Sequence, residues 1–245
     1  MRSRIAFSLL IFAAATSFGQ TTPDTIVPGD ARIDGSFIHN VTNAWRMTGT
    51  SPGGKRTDGG VWKDKIEVIG SDGRAVIRRT QVDAGPEGTT TFITETDQRT
   101  MAPLRAEVTT AAGLHRVLTF ENDHVHSVIT IGAKTRESDI PLSQPVFDFN
   151  GGLFGLLVDT FPLRENFTAK FPVFDPRTGL AWASYTVVGR ERVPAGKGTA
   201  VEAWTVEVQD PVRVARMIFS LTKEPPYIIR LQEVGEGKFW VFEMM

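Results

Sequence analysis

The sequence predicts a mainly β protein, in which one long curved antiparallel sheet forms an open or closed barrel around one short helix. From about residue 41 onward, β-type runs rich in Val, Thr, Ile, Phe and Trp alternate with clusters of Gly, Asp, Asn or Pro. Only one segment has a helical pattern. Several late strands are apolar on both faces, which indicates a cover on each face of the sheet.

Residues 1–19, MRSRIAFSLLIFAAATSFG, have the pattern of an export signal. Arg2 and Arg4 precede an apolar run over residues 5–15, and residues 17–19 give the small-x-small pattern of a cleavage site. The run is shorter than the roughly twenty residues of a spanning helix. Gln20, which would follow the cut, offers no cysteine for a lipid anchor. We expect an exported, soluble protein without a transmembrane segment after cleavage, located in the periplasm or else secreted.

The composition of the chain argues against nucleic acid as a partner. The chain has 27 Lys+Arg, 28 Asp+Glu and no cysteine. Its basic residues occur in short pairs mixed with acids, so it lacks the positive stripe that binds nucleic acid. The fold is expected to be stable without disulfides. Residues 20–40 are predicted as an N-terminal extension, and residues 41–245 as a single antiparallel β domain with a helix near 151–161.

The first strands are predicted as a meander. Val41, Asn43, Trp45 and Met47 alternate with polar or small residues, as in a half-buried strand. Turn-forming clusters then separate strands predicted over residues 61–69, 75–82, 89–96 and about 104–109.

A hairpin is predicted next, with Asn122–Asp123 as its two-residue turn. This turn places Leu114 opposite Ile131 and Phe120 opposite Val125, on a mainly apolar face that is expected to point inward. The polar residues 133–145 that follow are predicted as a connection.

Residues 151–161, GGLFGLLVDTF, are apolar on almost every side and predict a buried helix with Asn150 as its N-cap. Gly151, Gly152 and Gly155 would let this helix approach the sheet closely. The alternative is that they expose backbone N–H groups to an anion. Strands are then predicted over residues 167–174, 180–188, 199–208, 212–221, 227–234 and 239–243.

Two short motifs resemble catalytic or phosphate-binding sequences. Residues 49–53 match G-x-S-x-G around Ser51, but loop residues follow where a serine hydrolase needs a helix. Gly196–Lys197 resembles the end of a phosphate loop, but Gly198 occupies the position of the required Ser or Thr. Both are predicted to be hairpin loops. We expect no enzymatic activity and no cofactor.

His124 and His126 lie two residues apart, so both project from one face of a strand. Zinc needs three or four converging ligands. In the predicted register, His115 is roughly 13 Å along the strand from His126 and cannot supply the third. The sequence therefore predicts surface histidines and no metal site.

A family resemblance is carried by four runs in order: DQRTMAPLR (97–105), FPLR (161–164), VGRERVPAGKGT (188–199) and PPYIIR (225–230). They resemble exported bacterial β-proteins of an uncharacterised "domain of unknown function" family, over about residues 41–245. That family is similar in outline to the periplasmic lipoprotein carrier and lipoprotein receptor proteins. The resemblance implies an incomplete barrel with a helix on its concave side, and no catalytic residues. The missing lipid-attached cysteine departs from the receptor pattern.

Function is expected to lie in the apolar interior. A wide curved sheet often cannot fill its own concave side, and such barrels hold apolar ligands there. The predicted ligand-lining residues are Phe154, Leu157, Phe161, Trp182 and Trp204. The sequence thus predicts a binding or carrier module for a lipid or other apolar ligand. The alternative is a structural or interaction protein of the cell envelope, which recruits a protein partner by strand addition at a sheet edge.

Overall fold

The computed structural model describes residues 24–245 except 72, 86–87, 150–152, 197, 213–214 and 236–237. The predicted export signal, Gln20, the helix cap Asn150, Gly151–Gly152 and Lys197 lie outside the described residues. The elements are β1 (Asp24–Thr25), β2 (Val41–Thr50), β3 (Arg56–Ser71), β4 (Arg74–Gly85), β5 (Gly88–Asp97), β6 (Pro103–Thr110), β7 (Leu114–Phe120), β8 (His124–Ile131), β9 (Lys134–Pro141), α1 (Phe154–Asp159), β10 (Thr168–Val173), β11 (Ala181–Pro194), β12 (Ala200–Asp210), β13 (Ala215–Leu221), β14 (Ile228–Gly235) and β15 (Lys238–Met244).

All fifteen strands belong to one sheet, in the order β1-β10-β11-β12-β13-β14-β15-β2-β3-β4-β5-β6-β7-β8-β9. Every pairing is antiparallel except that of β1 with β10. In this order the last strand of the chain, β15, pairs with β2. The C-terminal strand is therefore a neighbour of the N-terminal part of the sheet. The sheet is not closed by hydrogen bonds between its terminal strands β1 and β9 within the described residues. The predicted fold class is therefore confirmed in its open, barrel-like form.

Two local predictions are confirmed: the alternation along β2 and the register of the β7–β8 hairpin. Trp45 and Met47 are buried in β2 while Arg46 between them is exposed, which confirms the alternation. In the β7–β8 hairpin, Leu114 pairs with Ile131 and Phe120 with Val125. This is the predicted register.

Two predicted elements differ from the structure. Residues 134–141, predicted as a connection, form the edge strand β9, which pairs with β8 along its whole length. Most of its residues are exposed, so its sequence shows no apolar alternation. The helix is also shorter than predicted: it ends at Asp159 because the backbone N–H and the hydroxyl of Thr160 bond back to the carbonyl oxygen of Leu157.

Helix α1 lies against the concave side of the sheet, where it contacts β13 and β14. A Cβ added at Gly155 would lie 2.7 Å from Cδ1 of Phe219 and 3.0 Å from Ile228. This small residue therefore permits the close approach, as the first interpretation of the helix glycines predicted. Beyond the helix, edge-to-face and tilted ring contacts join the buried aromatic residues Phe147, Phe149, Phe161, Phe171 and Tyr185.

Side chains close the seam between β9 and β10. A second apolar cluster joins Leu118 and Val125 of the hairpin to Val146 and Phe174, which follow β9 and β10. Phe147 adds a single parallel bridge to Val173. The barrel is thus completed on this side by packing and one bridge instead of a strand ladder.

Residues 24–40 pack onto the barrel. Ile26 and Ile38 are fully buried in the main core, and Ile33 is nearly so. The backbone N–H of Ile26 donates to the carbonyl oxygen of Lys170 at 2.9 Å. In the part of the chain that the structure describes, no helix has the length and apolar character needed to cross a membrane.

Candidate functional site

A cavity lies between the start of α1 and the concave faces of six strands, β2, β3, β4, β13, β14 and β15. Its apolar lining is mainly aromatic, and Arg79, Gln81 and Glu233 add polar groups. It offers about 60 Å³ to the centre of a water-sized sphere, which is room for about four to six waters or a short piece of an apolar chain. The lining residues are Trp45, Trp62, Arg79, Gln81, Phe154, Phe219, Ile228, Leu231, Glu233 and Phe242.

Ring contacts hold the aromatic wall of the cavity in place. Trp62 stacks on Phe92 with ring centroids 5.7 Å apart, and it meets Phe242 edge-on at the same separation. Trp45, which faces Trp62 across the β2–β3 pair, donates its indole N–H to the carbonyl oxygen of Ile228 at 3.2 Å. Such contacts fix each ring in one orientation, so this wall is preformed.

Phe154 closes the cavity from the helix side in a strained conformation. Its backbone has φ of 35°, in the left-handed region that bulky residues avoid. Strain of this kind costs on the order of 1–3 kcal/mol and persists only where the surroundings enforce it. Here the surroundings include Phe149, whose ring meets that of Phe154 edge-on at 5.9 Å.

The charge of Arg79 is neutralised within the protein. Its Nε and Nη2 donate to the two carboxylate oxygens of Asp64 at 3.0 and 2.9 Å, and Nη1 donates to the carbonyl oxygen of Leu153 at 2.7 Å. Both charged side chains are almost completely buried. A bidentate pair of this geometry leaves little net charge to attract an anionic ligand.

A wider groove continues from the cavity, with which it shares Trp62, Glu233 and Phe242. By the same measure it offers about 810 Å³, within the range of about 300–1,000 Å³ that is usual for ligand clefts. Residues from β2, β3, β4, β5, β6, β14 and β15 and from the β6–β7 turn line it: Met47, Thr57, Asp58, Gly59, Trp62, Asp83, Gly85, Gly88, Thr90, Thr110, Ala111, Ala112, Glu233, Trp240 and Phe242.

Two glycines allow Trp240 to lie flat along the groove. A Cβ at Gly49 would come within 2.8 Å of the Trp240 ring, and one at Gly59 within 2.7 Å. Neither separation occurs between real atoms, so the indole needs both positions to lack a side chain. The ring therefore forms a fixed wall of the groove on strands β2 and β3.

Carboxylates are spaced along the groove. Asp83 pairs across the strands with Trp62, and Glu233 pairs with Trp240, so each acid lies beside an indole ring. Oδ1 of Asp83 is buried without a hydrogen-bond donor among the described residues, and burial raises the pKa of this carboxyl. The third carboxylate, Asp58, accepts a hydrogen bond from the N–H of Gly60 at 3.0 Å.

Of the five predicted ligand-lining residues, Phe154 lines the cavity. Leu157 and Phe161 are buried in the main core, against which Phe154 and Trp204 also pack. Trp182 is 42% exposed. Trp204 lies under the guanidinium of Arg190, 4.1 Å from the ring centroid.

Sequence reasoning missed Trp62, Trp240 and Phe242 as a set. These residues sit on β3 and β15, which β2 brings together. The available signal was the alternation that places Trp240 and Phe242 on one face of a strand. Alternation does not reveal that β15 pairs with β2, and this pairing brings Trp240 and Phe242 close to Trp62.

The remaining candidate residues from the sequence are Ser51, His124 and His126. Ser51 lies in the β2–β3 turn, where its N–H donates to the carbonyl oxygen of Lys55 at 3.0 Å. Nδ1 of His126 is 2.7 Å from Asp139, and Nδ1 of His124 is 2.8 Å from Asp123. Across the residues that the structure describes, no group of three or more His, Cys, Asp or Glu side chains is arranged to hold a metal ion.

One protein family matches the chain. Its model is described as "Protein of unknown function (DUF3108)" and covers residues 64–241, well over half of the sequence. No curated protein and no solved structure matches.

Proposed function

We propose that this chain, which belongs to the DUF3108 family of proteins of unknown function, is a binding or carrier module for a lipid or other apolar ligand. The family match confirms the sequence-based assignment to a domain-of-unknown-function family. The apolar end of the ligand enters the cavity beside Phe154, and the rest lies in the groove. The proposal assigns no catalytic step.

The preformed aromatic wall is the observation that carries the proposal. Trp45, Trp62 and Phe242 present apolar ring surface to space that the protein itself does not fill. Exposed apolar surface of this kind is costly in water, at about 25 cal/mol per Å². An apolar ligand would remove that surface from water without reorganising the site, because ring contacts already fix its walls.

The sequence predicts an export signal over residues 1–19. We propose the periplasm as the compartment of the protein.

The test is to identify what the protein carries. Mature protein purified without detergent is extracted with organic solvent, and the extract is analysed by mass spectrometry. We expect an apolar molecule in near-stoichiometric amount. Reproducibly empty protein that also fails to take up added lipid would refute the proposal.

A matched pair of variants ties the ligand to the cavity. Leu231 lines the cavity, while Val234 on the same strand is exposed. Leu231→Trp fills the cavity and is expected to abolish ligand retention, whereas Val234→Trp adds the same group outside and is expected to retain it. Equal retention by the two variants would place the ligand elsewhere.

The alternative, an envelope protein that recruits a partner by strand addition, rests on the edge strand β9. Its outer edge offers backbone groups for pairing, but it carries Lys134, Arg136, Glu137 and Asp139. Charged edge residues oppose edge-to-edge pairing. A pull-down from envelope extracts that gave a stoichiometric protein partner and no lipid would favour this alternative.

A further inference from the structure

The groove carries one sign of charge. Asp58, Asp83 and Glu233 line it, and no Lys or Arg occurs among its described lining residues. Arg79, which lines the adjoining cavity, is engaged by Asp64 and the backbone of Leu153. The field of the site therefore favours a positively charged ligand group and opposes a carboxylate or phosphate.

Aromatic rings reinforce this charge preference. Asp83 is the cross-strand neighbour of Trp62, and Glu233 is the cross-strand neighbour of Trp240. Directly opposed residues of an antiparallel pair have Cβ atoms about 4.5–5.5 Å apart. The faces of indole rings attract cations, and tryptophan does so most strongly. Each carboxylate thus lies beside a ring of the type that attracts the same kind of group.

Among the residues that the structure describes, none forms a salt bridge with Asp83. Its Oδ1 has no donor among the described residues, and burial makes the charged form costly. A cation brought into the groove would offset that cost, as an opposite charge within about 4–6 Å does. The apolar cavity adjoins this position through Trp62 and Phe242, so charge and apolar surface form one continuous site.

We propose that the ligand is a cationic amphiphile, whose ammonium group lies in the groove near Asp83, Glu233 and the two indoles while its apolar chain enters the cavity. This inference rests on the proposed function, because it names the chemical class of the same ligand. It excludes a fatty acid or a phosphate-headed lipid without a counterbalancing amine as the preferred occupant.

Three probes with the same ten-carbon chain separate the contribution of headgroup charge from that of the apolar chain. Decyltrimethylammonium, decyl maltoside and decanoate are titrated below their micelle concentrations, with isothermal calorimetry as the readout. We expect decyltrimethylammonium to bind about tenfold more tightly than the other two probes. Raising salt from about 0.02 to 0.5 M should weaken only this binding advantage.

Two carboxylate variants locate the charge. Asp83→Asn and Glu233→Gln are each expected to reduce the preference for decyltrimethylammonium several-fold and to leave binding of decyl maltoside unchanged. Glu243→Gln is the matched control, because Glu243 follows Phe242 and therefore faces the other side of β15. It changes the net charge equally and should not alter the preference. Circular dichroism verifies that each variant is folded.

The outcomes distinguish the inference from the proposed function. A salt-sensitive preference for the cationic probe that Asp83→Asn or Glu233→Gln lowers supports both. Equal binding of all three probes overturns the cationic inference and leaves the apolar-ligand proposal standing. Absence of binding by every probe overturns both, and the wild-type salt series decides the charge question even where a variant fails to fold.

Discussion

A basic side chain meets an aspartate at each end of helix α1, but the two ends satisfy their charges to different degrees. At the N-terminal end, Arg79 donates to both oxygens of Asp64 and to the carbonyl oxygen of Leu153. At the C-terminal end, Lys223 donates to the carbonyl oxygen of Asp159. Its Nζ stays 3.9 Å from the Asp159 carboxylate. Neither oxygen of that carboxylate has a hydrogen-bond donor among the described residues.

The difference follows from the chemistry of the two cations. The planar guanidinium of arginine presents a fork that matches a carboxylate, while the lysine ammonium is a strongly hydrated point charge that is costly to dehydrate. Burial therefore raises the pKa of Asp159 well above its ordinary value, although Lys223 opposes the shift. Burial also lowers the pKa of Lys223. One end of the helix is stabilised by a fully hydrogen-bonded ion pair, whereas burial at the other end disfavours the charged forms of both Asp159 and Lys223.

Removing the cation of the satisfied pair should have the largest effect. Arg79→Met leaves Asp64 buried without its partner, which is expected to lower the free energy of unfolding by about 3–5 kcal/mol. Arg78→Met is the matched control on the same strand, since Arg78 forms a half-exposed pair with Glu95. Its cost should be about 1 kcal/mol or less. Urea denaturation at pH 7 measures both, and equal losses would contradict the comparison.

Replacing the aspartates separates the two ends more sharply. Asp159→Asn mimics the neutral acid and is expected to raise the free energy of unfolding at pH 8 by about 1–2 kcal/mol. Asp64→Asn, in contrast, breaks a bidentate pair and should lower it by several kcal/mol. If both variants lost stability equally, the two ends would not differ as described.

The pH dependence has a defined sign. The folded pKa of Asp159 is raised, so the native state binds its proton more tightly than the unfolded chain does. Its contribution to stability is fully present below the unfolded pKa of about 4 and is lost as pH rises toward the raised value. The stability advantage of Asp159→Asn over wild type should therefore grow from pH 4 upward, as thermal unfolding at a series of pH values would show. A difference independent of pH would mean that Asp159 does not titrate in this way.

Lys223→Met should have the smallest effect. Lys223 is partly exposed, and its Nζ lies 4.3 Å from the ring centroid of Phe37. Loss of these contacts is offset by the removal of a poorly hydrated charge, so the expected change is about 1 kcal/mol or less. Chemical denaturation in parallel with Arg79→Met measures the contrast, and comparable losses would contradict it.

These ion pairs also show why parts of the molecule were beyond prediction from sequence. The β7–β8 register follows from the adjacent Asn122–Asp123 turn, and the burial of Trp45 follows from alternation along one strand. The pairing of Arg79 with Asp64 requires the β3–β4 register, and the contact of Lys223 with Asp159 joins positions 64 residues apart. The candidate site likewise depends on a pairing of strands that are distant in sequence, since Trp62 meets Phe242 only because β15 pairs with β2.

The packed seam between β9 and β10 lets side-chain packing set the width of the interior. A barrel closed by strand pairing takes only circumferences set by strand number and stagger. Contacts such as that of Phe120 with Phe174, whose ring centroids are 5.5 Å apart, impose no such steps, because apolar packing is non-directional. The girth of this barrel is therefore set by the size and packing of the side chains along the seam.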